Sequence, residues 1–328
     1  MTKNQTLLKE QFPAVDWSFD LILANKTYFR LGGCAEIFYK VKEIDLLKKI
    51  LVFCDEQSIP WIVVGGLSNV VVADSGIKGL VLQMACDTFS LIQEDDQGVT
   101  FQAEAGIKTN QLVMKAAKLS GTGLEGFIGV PGTLGGAIYN NAHYLDFLIG
   151  DYIKEVTVFH VKNNKEIILS HENCKFAYEH SIFQEDSQLV ILSAEFSLNK
   201  DDSNKIEEKI KEAQIRRLNT QPLNYPSSGC IFRNPHNTEY LKKIFPQFAN
   251  QEFIPAGFLI DQAGLKEQKR GAIVVSDKHA AFLVNMTEQL KVAAKTSDLK
   301  KLIALIRSTV KEKFQVELEE EVFYLGKD

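Results

Sequence analysis

The stretch Tyr225–Pro235, YPSSGCIFRNP, sets a cysteine directly after a glycine and follows it with an apolar pair, a cation and an amide. Cys230 in that setting has two readings: a small hydrophobe on a turn, or a thiol placed for chemistry with Arg233 and Asn234 as polar neighbours. Two glycine clusters could also do chemistry. GGLSN (Gly65, Gly66, Leu67, Ser68, Asn69) and PGTLGG (from Pro131 through Gly132, Thr133 and Gly135 to Gly136) each combine glycines with small hydroxyl or amide side chains after an apolar run. With no Cβ in the way, successive backbone N–H groups form a concave anion site. Either cluster alone reads as a tight turn. Together, about 65 residues apart, they suit a diphosphate held from two sides, with amide dipoles doing what lysines do elsewhere. A third cluster, GTGLEG at 121–126, satisfies G-x-G-x-x-G but follows a helix and leads into FIGVPGTLGGA, so it is not a Rossmann fingerprint.

These residues must be positioned by regular elements. VKEIDLLKKILVFCDEQSIP predicts a helix with Ile44, Leu47, Leu51 and Cys54 on one face, ended before Pro60. WIVVGG, NVVVA and GLVLQM predict strands on either side of the first glycine cluster. TNQLVMKAAKLSGTG predicts a helix capped by Thr109, with Leu112, Val113, Ala116 and Ala117 inward and Gly121 as its stop. Between 151 and 199 the pattern is of strands, EVTVFHV, KEIILS and QLVILSAEFSL. A polar helix follows, with Ile206, Ile210, Ala213 and Leu218 as its stripe and Pro222 closing it. This places a domain boundary at 200, giving domains 1–200 and 201–328. Beyond it PAGFLIDQAG and TSDLKKLIALIRSTVKEKF predict helices, while GAIVVS, AAFLVNM and the alternating VELEEEVFYLG predict strands.

The bulk numbers bound the function. A chain of 328 residues suits two domains, and 45% hydrophobic with 24% charged residues is ordinary for a globular protein. A net charge of -5 argues against a nucleic acid or anionic membrane as partner. The N-terminus lacks the apolar core of a signal peptide and no apolar run is long enough to span a bilayer, so a cytoplasmic location is expected. Cysteines 34, 54, 86 and 174 form no C-x-x-C pair and read as reduced, ordinary core residues. Six scattered histidines give no metal-ligand spacing, and no metal is expected.

Eight blocks in series carry a resemblance: NKTYFRLGGCAEIF, VVGGLSNVVVADSGIKGLVL, GLEGFIGVPGTLGGAIYNNA, FAYEHSIF, SSGCIFRNP, PAGFLIDQAGLK, VSDKHAAFLVN and VELEEEVFYLG. In order and spacing they resemble the UDP-N-acetylenolpyruvoylglucosamine reductases, in the shorter type without a tyrosine-bearing insertion. The resemblance implies an α+β protein: an FAD-binding domain of the vanillyl-alcohol-oxidase type, then a smaller C-terminal α/β domain that binds substrate. It implies FAD held by Gly65 to Asn69 and by Val130, Pro131, Gly132, Thr133, Gly135, Gly136 and Ala137. Arg217, favoured over Arg216, is expected at the flavin. NADPH would reduce the flavin, and a hydride would then pass to the enolpyruvyl CH₂ carbon of UDP-N-acetylglucosamine enolpyruvate. The product, UDP-N-acetylmuramate, serves peptidoglycan synthesis and hence cell wall biogenesis, cell shape and division. A monomer is expected.

Cys230 occupies the family's usual serine position, that of the proton donor. A thiol with an ordinary pKa of about 8.5 is mostly protonated at neutral pH yet far more acidic than an alcohol, so it can serve as the acid. Glu321, in LEEEV for the usual LEPEV, sits where the family carries its catalytic glutamate, and on a strand would share a face with Glu319 and not with Glu320. Tyr178, Arg233 and Asn234 are expected at the UDP-sugar. The sequence also departs from the family. The block Y-R-x-S reads Tyr178, Glu179, His180, Ser181, so an anion stands where a cation is expected to steady the developing enolate. His180 and Arg233 are candidate replacements for it. Leu67 replaces the third glycine of GGGSN, and Phe323 replaces an arginine after the catalytic glutamate. Two competing readings are another FAD oxidoreductase on the same fold and a non-catalytic binder of UDP-sugar or flavin.

Overall fold

The computed structural model describes residues 1–144 and 147–327. The chain divides into two compact units, the first made of Met1–Leu21, Ala35–Gly66 and Lys78–Arg217, the second of Ile22–Cys34, Leu67–Ile77 and Leu218–Asp328. The partition thus differs from two consecutive domains meeting at 200, in both the boundary and the chain order.

Besides the short pair His143–Tyr144 with Phe147–Leu148, the first unit holds two larger sheets. One is four-stranded, in the order Ser18–Ile22, Cys34–Val41, Ile77–Met84, Trp61–Val64, with the last two strands parallel. The other is an antiparallel five-stranded sheet, in the order Lys165–Ser170, Ile153–His160, Leu189–Asn199, Gly98–Glu104, Phe89–Glu94. Alternation decides which side faces inward: Val156 and Val158 are buried while Glu155 and Thr157 are not. Phe101 stands opposite Phe196 in the ladder and their rings stack at 5.2 Å, with Phe89 stacked on Phe101 at 4.6 Å. Phe89–Glu94 and Gly98–Glu104 are strands that the sequence patterns above leave unassigned. Asp95 ties their turn, accepting from the backbone N–H of Gln97 and Gly98.

Two helices of this unit matter to the site. The helix Thr109–Lys118 begins one residue earlier than a Thr109 cap would allow, so Thr109 is its first helical residue and Lys108 its cap. In the helix Ser203–Thr220 the buried residues are Ile206, Ile210, Ala213 and Arg217, whereas Leu218 is 62% exposed. The stripe steps by four, three and four residues. At 100° per residue position 218 has rotated off that face, and the arginine takes the place expected of the leucine.

The second unit contains a parallel pair, Phe323–Leu325 with Val70–Val72, in the register Phe323 to Val70, Tyr324 to Val71 and Leu325 to Val72. Its core joins Phe29, Leu31 and Val71 to Ile231, Leu259, Leu283, Leu302 and Ile306. The helix Thr296–Phe314 supplies the largest face, and its first residue is anchored where Thr296 Oγ1 donates to the Val72 carbonyl at 2.6 Å. These contacts explain why a C-terminal domain must recruit N-terminal segments. The alternating VELEEEVFYLG forms a ladder strand only over Phe323–Leu325. Cys54, Cys86 and Cys174 are buried as expected, but Cys34 is exposed and is not a core residue. None of the described helices is long and apolar enough to cross a membrane.

Candidate active site

In the first unit the two glycine clusters meet. A Cβ on Gly66 would lie 2.5 Å from the Gly132 Cα, and one on Gly65 would lie 2.3 Å from Thr133 Oγ1. Neither distance is tolerable, so glycine at 65 and 66 is what lets the loops close on each other. Gly132 itself has φ +117. Thr133 caps the helix Leu134–Asn140, yet its side chain makes no cap hydrogen bond, and its buried hydroxyl has no partner among the described residues. Thr109 Oγ1 is in the same condition, and the Thr109 N–H donates to the Gly132 carbonyl at 3.3 Å. Buried hydroxyls are normally satisfied, so two in one place point to a polar ligand. The Leu134 and Gly135 amides donate internally, to Ile107 and Ala105 at 2.9 and 2.8 Å. Gly135 therefore serves close packing, with Ala105 Cβ 3.0 Å from where its own Cβ would be, and Gly136 is the open position. Ala137 is buried in the helix behind, and Val130 and Pro131 lead into the loop.

Arg217 is 7% exposed, while Arg216 is exposed. Its stem lies over Gly129, where a Cβ would meet Arg217 Cδ at 2.9 Å, and its guanidinium stacks on the Tyr144 ring at 4.4 Å. This puts a buried cation beside the second glycine loop. The first cluster is divided between the units: Gly65 and Gly66 belong to the first, Leu67, Ser68 and Asn69 to the second. Leu67 adopts φ +55, the left-handed conformation its missing glycine would favour, and is nevertheless 3% exposed. Asn69 is spent on the C-terminal segment, donating from Nδ2 to the Glu321 carbonyl at 3.4 Å and accepting the Phe323 N–H at 3.1 Å.

In the second unit the residues 230–233 run between two other extended segments. On one side Cys230 bridges Phe282 and Ile231 N–H donates to Ala281 at 2.9 Å. On the other, Glu321 N–H donates to Ile231 at 2.8 Å and Arg233 N–H to Glu319 at 3.0 Å. Cys230 and Glu321 are thereby brought onto adjacent segments, joined by a backbone hydrogen bond one residue from the thiol. Gly229 has φ +81 with open space around a Cβ, so the turn conformation is its whole reason for being glycine. The acidic run is sorted by partner: Glu320 binds Arg307 at 3.4 Å and the Tyr324 hydroxyl, Glu319 is exposed, and Glu321 is half-buried. Asn234 Oδ1 accepts the Ala256 N–H at 2.9 Å, which fixes that side chain at the start of the helix Ala256–Gln262.

Tyr178 and Glu179 lie in the first unit, at the tip of a turn closed by reciprocal backbone hydrogen bonds between Ala177 and His180, both 3.1 Å. Glu179 is 4% exposed with φ +53. His180 is given to Glu185, 3.0 Å away on the surface, and does not face Glu179's surroundings. The histidine that does is His143, whose Nδ1 is 3.8 Å from Glu179 Oε1.

A scan of family models matches residues 221–325 to the UDP-N-acetylenolpyruvoylglucosamine reductase C-terminal domain and residues 35–163 to an FAD binding domain. A UDP-N-acetylenolpyruvoylglucosamine reductase of Lachnoclostridium phytofermentans is 34% identical over 93% of this chain and 91% of its own. One of Lactococcus lactis subsp. cremoris is 33% identical over 97% of each chain. The crystal structure of UDP-N-acetylenolpyruvylglucosamine reductase from Thermus caldophilus superposes with a TM-score of 0.73, at 26% identity, over 95% of this chain and 99% of that one. The chain belongs to the UDP-N-acetylenolpyruvoylglucosamine reductase family.

The fold combines an FAD-binding domain with a C-terminal domain of mixed helix and strand, as in that family. The residues present fit the flavin nucleotide: the closed glycine loops and the paired orphan hydroxyls of Thr109 and Thr133 supply donors where a diphosphate would need them. Sequence reading missed three residues of the reductase's candidate site. Thr109 was hidden by its guise as a helix cap. Ser228, two residues before Cys230, has a buried hydroxyl with no partner among the described residues, and its only signal is the doubled serine of SSGC. His143 gives no signal at all in a single sequence, because only the fold sets it against Glu179.

Proposed function

We propose that the chain reduces UDP-N-acetylglucosamine enolpyruvate to UDP-N-acetylmuramate with FAD and NADPH, as a cytoplasmic monomer supplying peptidoglycan synthesis. What carries this reading is the juxtaposition of Cys230 and Glu321 on adjacent segments, in a family member whose other unit closes two glycine loops around unsatisfied hydroxyls. FAD, when bound, supplies hydride transfer: from NADPH to the ring, then from the ring to the terminal enolpyruvyl carbon. The chain's own residues do the rest. Gly66, Gly132, Thr109 and Thr133 hold the diphosphate, and Arg217 adds a fixed cation whose orientation the Tyr144 ring preserves. Cys230 holds the proton that the neighbouring carbon must receive, so one hydride and one proton together saturate the double bond. Glu321 is the carboxylate beside it, its backbone pinned by Ile231 and Asn69. Arg233 and Asn234 bind the nucleotide-sugar from the segment that carries Cys230, and Tyr178 is a further substrate-binding residue.

An anaerobic two-step assay tests this. NADPH should bleach the flavin of the purified holoprotein, and the enolpyruvyl sugar should restore its colour with formation of UDP-N-acetylmuramate. Bleaching without reoxidation would replace this reading with another flavin oxidoreductase. The buried Glu179 favours a second alternative, a binder without turnover, which predicts that substrate binds while the reduced flavin persists.

A further inference from the structure

The two-residue strand His143–Tyr144 places consecutive rings against two buried charges of the first unit. Tyr144 lies under Arg217 at 4.4 Å, and His143 packs against Tyr178, ring centres 5.1 Å apart, with Nδ1 3.8 Å from the Glu179 carboxylate. That separation is in ion-pair range and too long for a hydrogen bond. The Glu179 side chain is 5% exposed, whereas His143 keeps 27%, so the imidazole is the member of the pair that a ligand can reach.

Glu179 is held there firmly. Its turn is closed by Ala177 and His180, its carbonyl accepts Gln184 Nε2 at 3.0 Å, and Asn141 Nδ2 binds the Ala177 carbonyl at 2.7 Å. A non-glycine residue in the left-handed region that also buries a carboxylate is a costly arrangement, and such cost concentrates where a site needs it. Among the described residues, the charged and titratable groups facing His143 are the Glu179 carboxylate and the Tyr178 phenol, with Tyr144 on its own strand and Arg217 across the Tyr144 ring. Burial holds the imidazole below the usual histidine range, which makes it neutral in the free protein. A carboxylate 3.8 Å from Nδ1 and a second anion arriving at the exposed edge would together favour the charged imidazole.

We propose that His143, backed by Glu179, forms an anion subsite for the substrate carboxylate, taking a proton from solvent onto Nε2 as that carboxylate arrives. The subsite deepens the reductase reading and rests on it. It supplies, by substrate-driven protonation, the positive charge that Glu179 itself cannot.

The test is calorimetric titration of the oxidised holoprotein with UDP-N-acetylglucosamine enolpyruvate near neutral pH, in buffers of different ionisation heat. The unmodified protein should take up about one proton per substrate bound, and UDP-N-acetylglucosamine, which lacks the carboxylate, should cause no uptake. His143→Gln should abolish uptake and raise KM for the enolpyruvyl sugar about 10- to 100-fold, the loss of a charge-assisted hydrogen bond. Glu179→Arg in the His143→Gln background should restore affinity as a fixed cation, without proton uptake. Binding with no uptake by the unmodified protein overturns the subsite and needs no variant to show it. Uptake of equal size with UDP-N-acetylglucosamine overturns it too, by assigning the proton to the diphosphate. Failure of the sugar to reoxidise the reduced flavin instead overturns the reductase reading beneath it.

Discussion

Replacing Thr133 by valine should push the stability of the apoprotein and its affinity for FAD in opposite directions. The Thr133 hydroxyl is buried, makes no cap bond to its own helix and has no partner among the described residues. In the apoprotein it carries the desolvation cost of an unmet polar group, about 1–3 kcal/mol. Valine keeps the branched shape and removes that cost, so Thr133→Val should raise apoprotein stability by about 1 kcal/mol, a Tm increase of roughly 2–4 °C for a unit of this size. In the loaded protein the same change removes a hydrogen bond to a charged phosphate, about 1.5–3 kcal/mol. Because the apo state is also stabilised, the two effects add in the binding equilibrium. The dissociation constant for FAD should then rise by about 2.5–4 kcal/mol, on the order of 100- to 1,000-fold. Differential scanning of flavin-stripped protein and fluorescence titration with FAD measure the two halves separately. A lowered apoprotein Tm together with unchanged FAD affinity would refute the reasoning, because the hydroxyl would then be serving the fold alone.

Cys230→Ala should leave flavin reduction by NADPH intact and slow reoxidation by the enolpyruvyl sugar about 10²- to 10⁴-fold, the usual worth of a positioned acid; Cys230→Ser should recover much of it, and equal stopped-flow rates in the second step would remove the thiol from the mechanism. Leu67→Gly should be less destabilising than Leu67→Ala by about 1 kcal/mol in denaturant unfolding, because both lose the buried side chain but only glycine relieves the left-handed backbone at φ +55. Burial pushes the thiols of Cys54 and Cys174 up to about 12 and that of Cys86 up to about 11. At mildly alkaline pH a maleimide should therefore label exposed Cys34 first and reach those three only on unfolding. The same shifts carry a stability consequence with a definite sign. Folded-state values above the unfolded one mean that the contribution is whole below pH about 9 and is lost as pH rises toward about 12, so chemical-denaturation midpoints should fall across that window.

The parts of this fold that were legible in sequence are those governed by a single periodicity. The helix Ile44–Glu56 and the helix Thr296–Phe314 show clear apolar faces, the strand Ile153–His160 is rich in β-branched residues, and Leu189–Asn199 opens on the apolar run Leu189 to Leu192. Phe89–Glu94 escaped because five of its six residues are exposed, leaving no buried alternation to read. Arg217 was named for the flavin but not for the core stripe, since a guanidinium at an apolar helical position is invisible to a hydrophobicity pattern. The division of GGLSN between two units was equally hidden: nothing local says that Asn69 will bind a residue some 250 positions later. The same holds for His143 and Glu179, whose relation exists only through the turn that buries the carboxylate.

The parallel pairing of Val70–Val72 with Phe323–Leu325 also has a temporal side. A ribosome adding about 5–20 residues per second takes roughly 10–50 s to travel from one strand to the other. Throughout that interval the earlier strand, three consecutive valines, waits with an open edge of the kind that invites foreign pairing. The edge of Val70–Val72 stays without this partner until residues 323–325 have been made, so anything that masks it in the interval lowers the risk of mispairing.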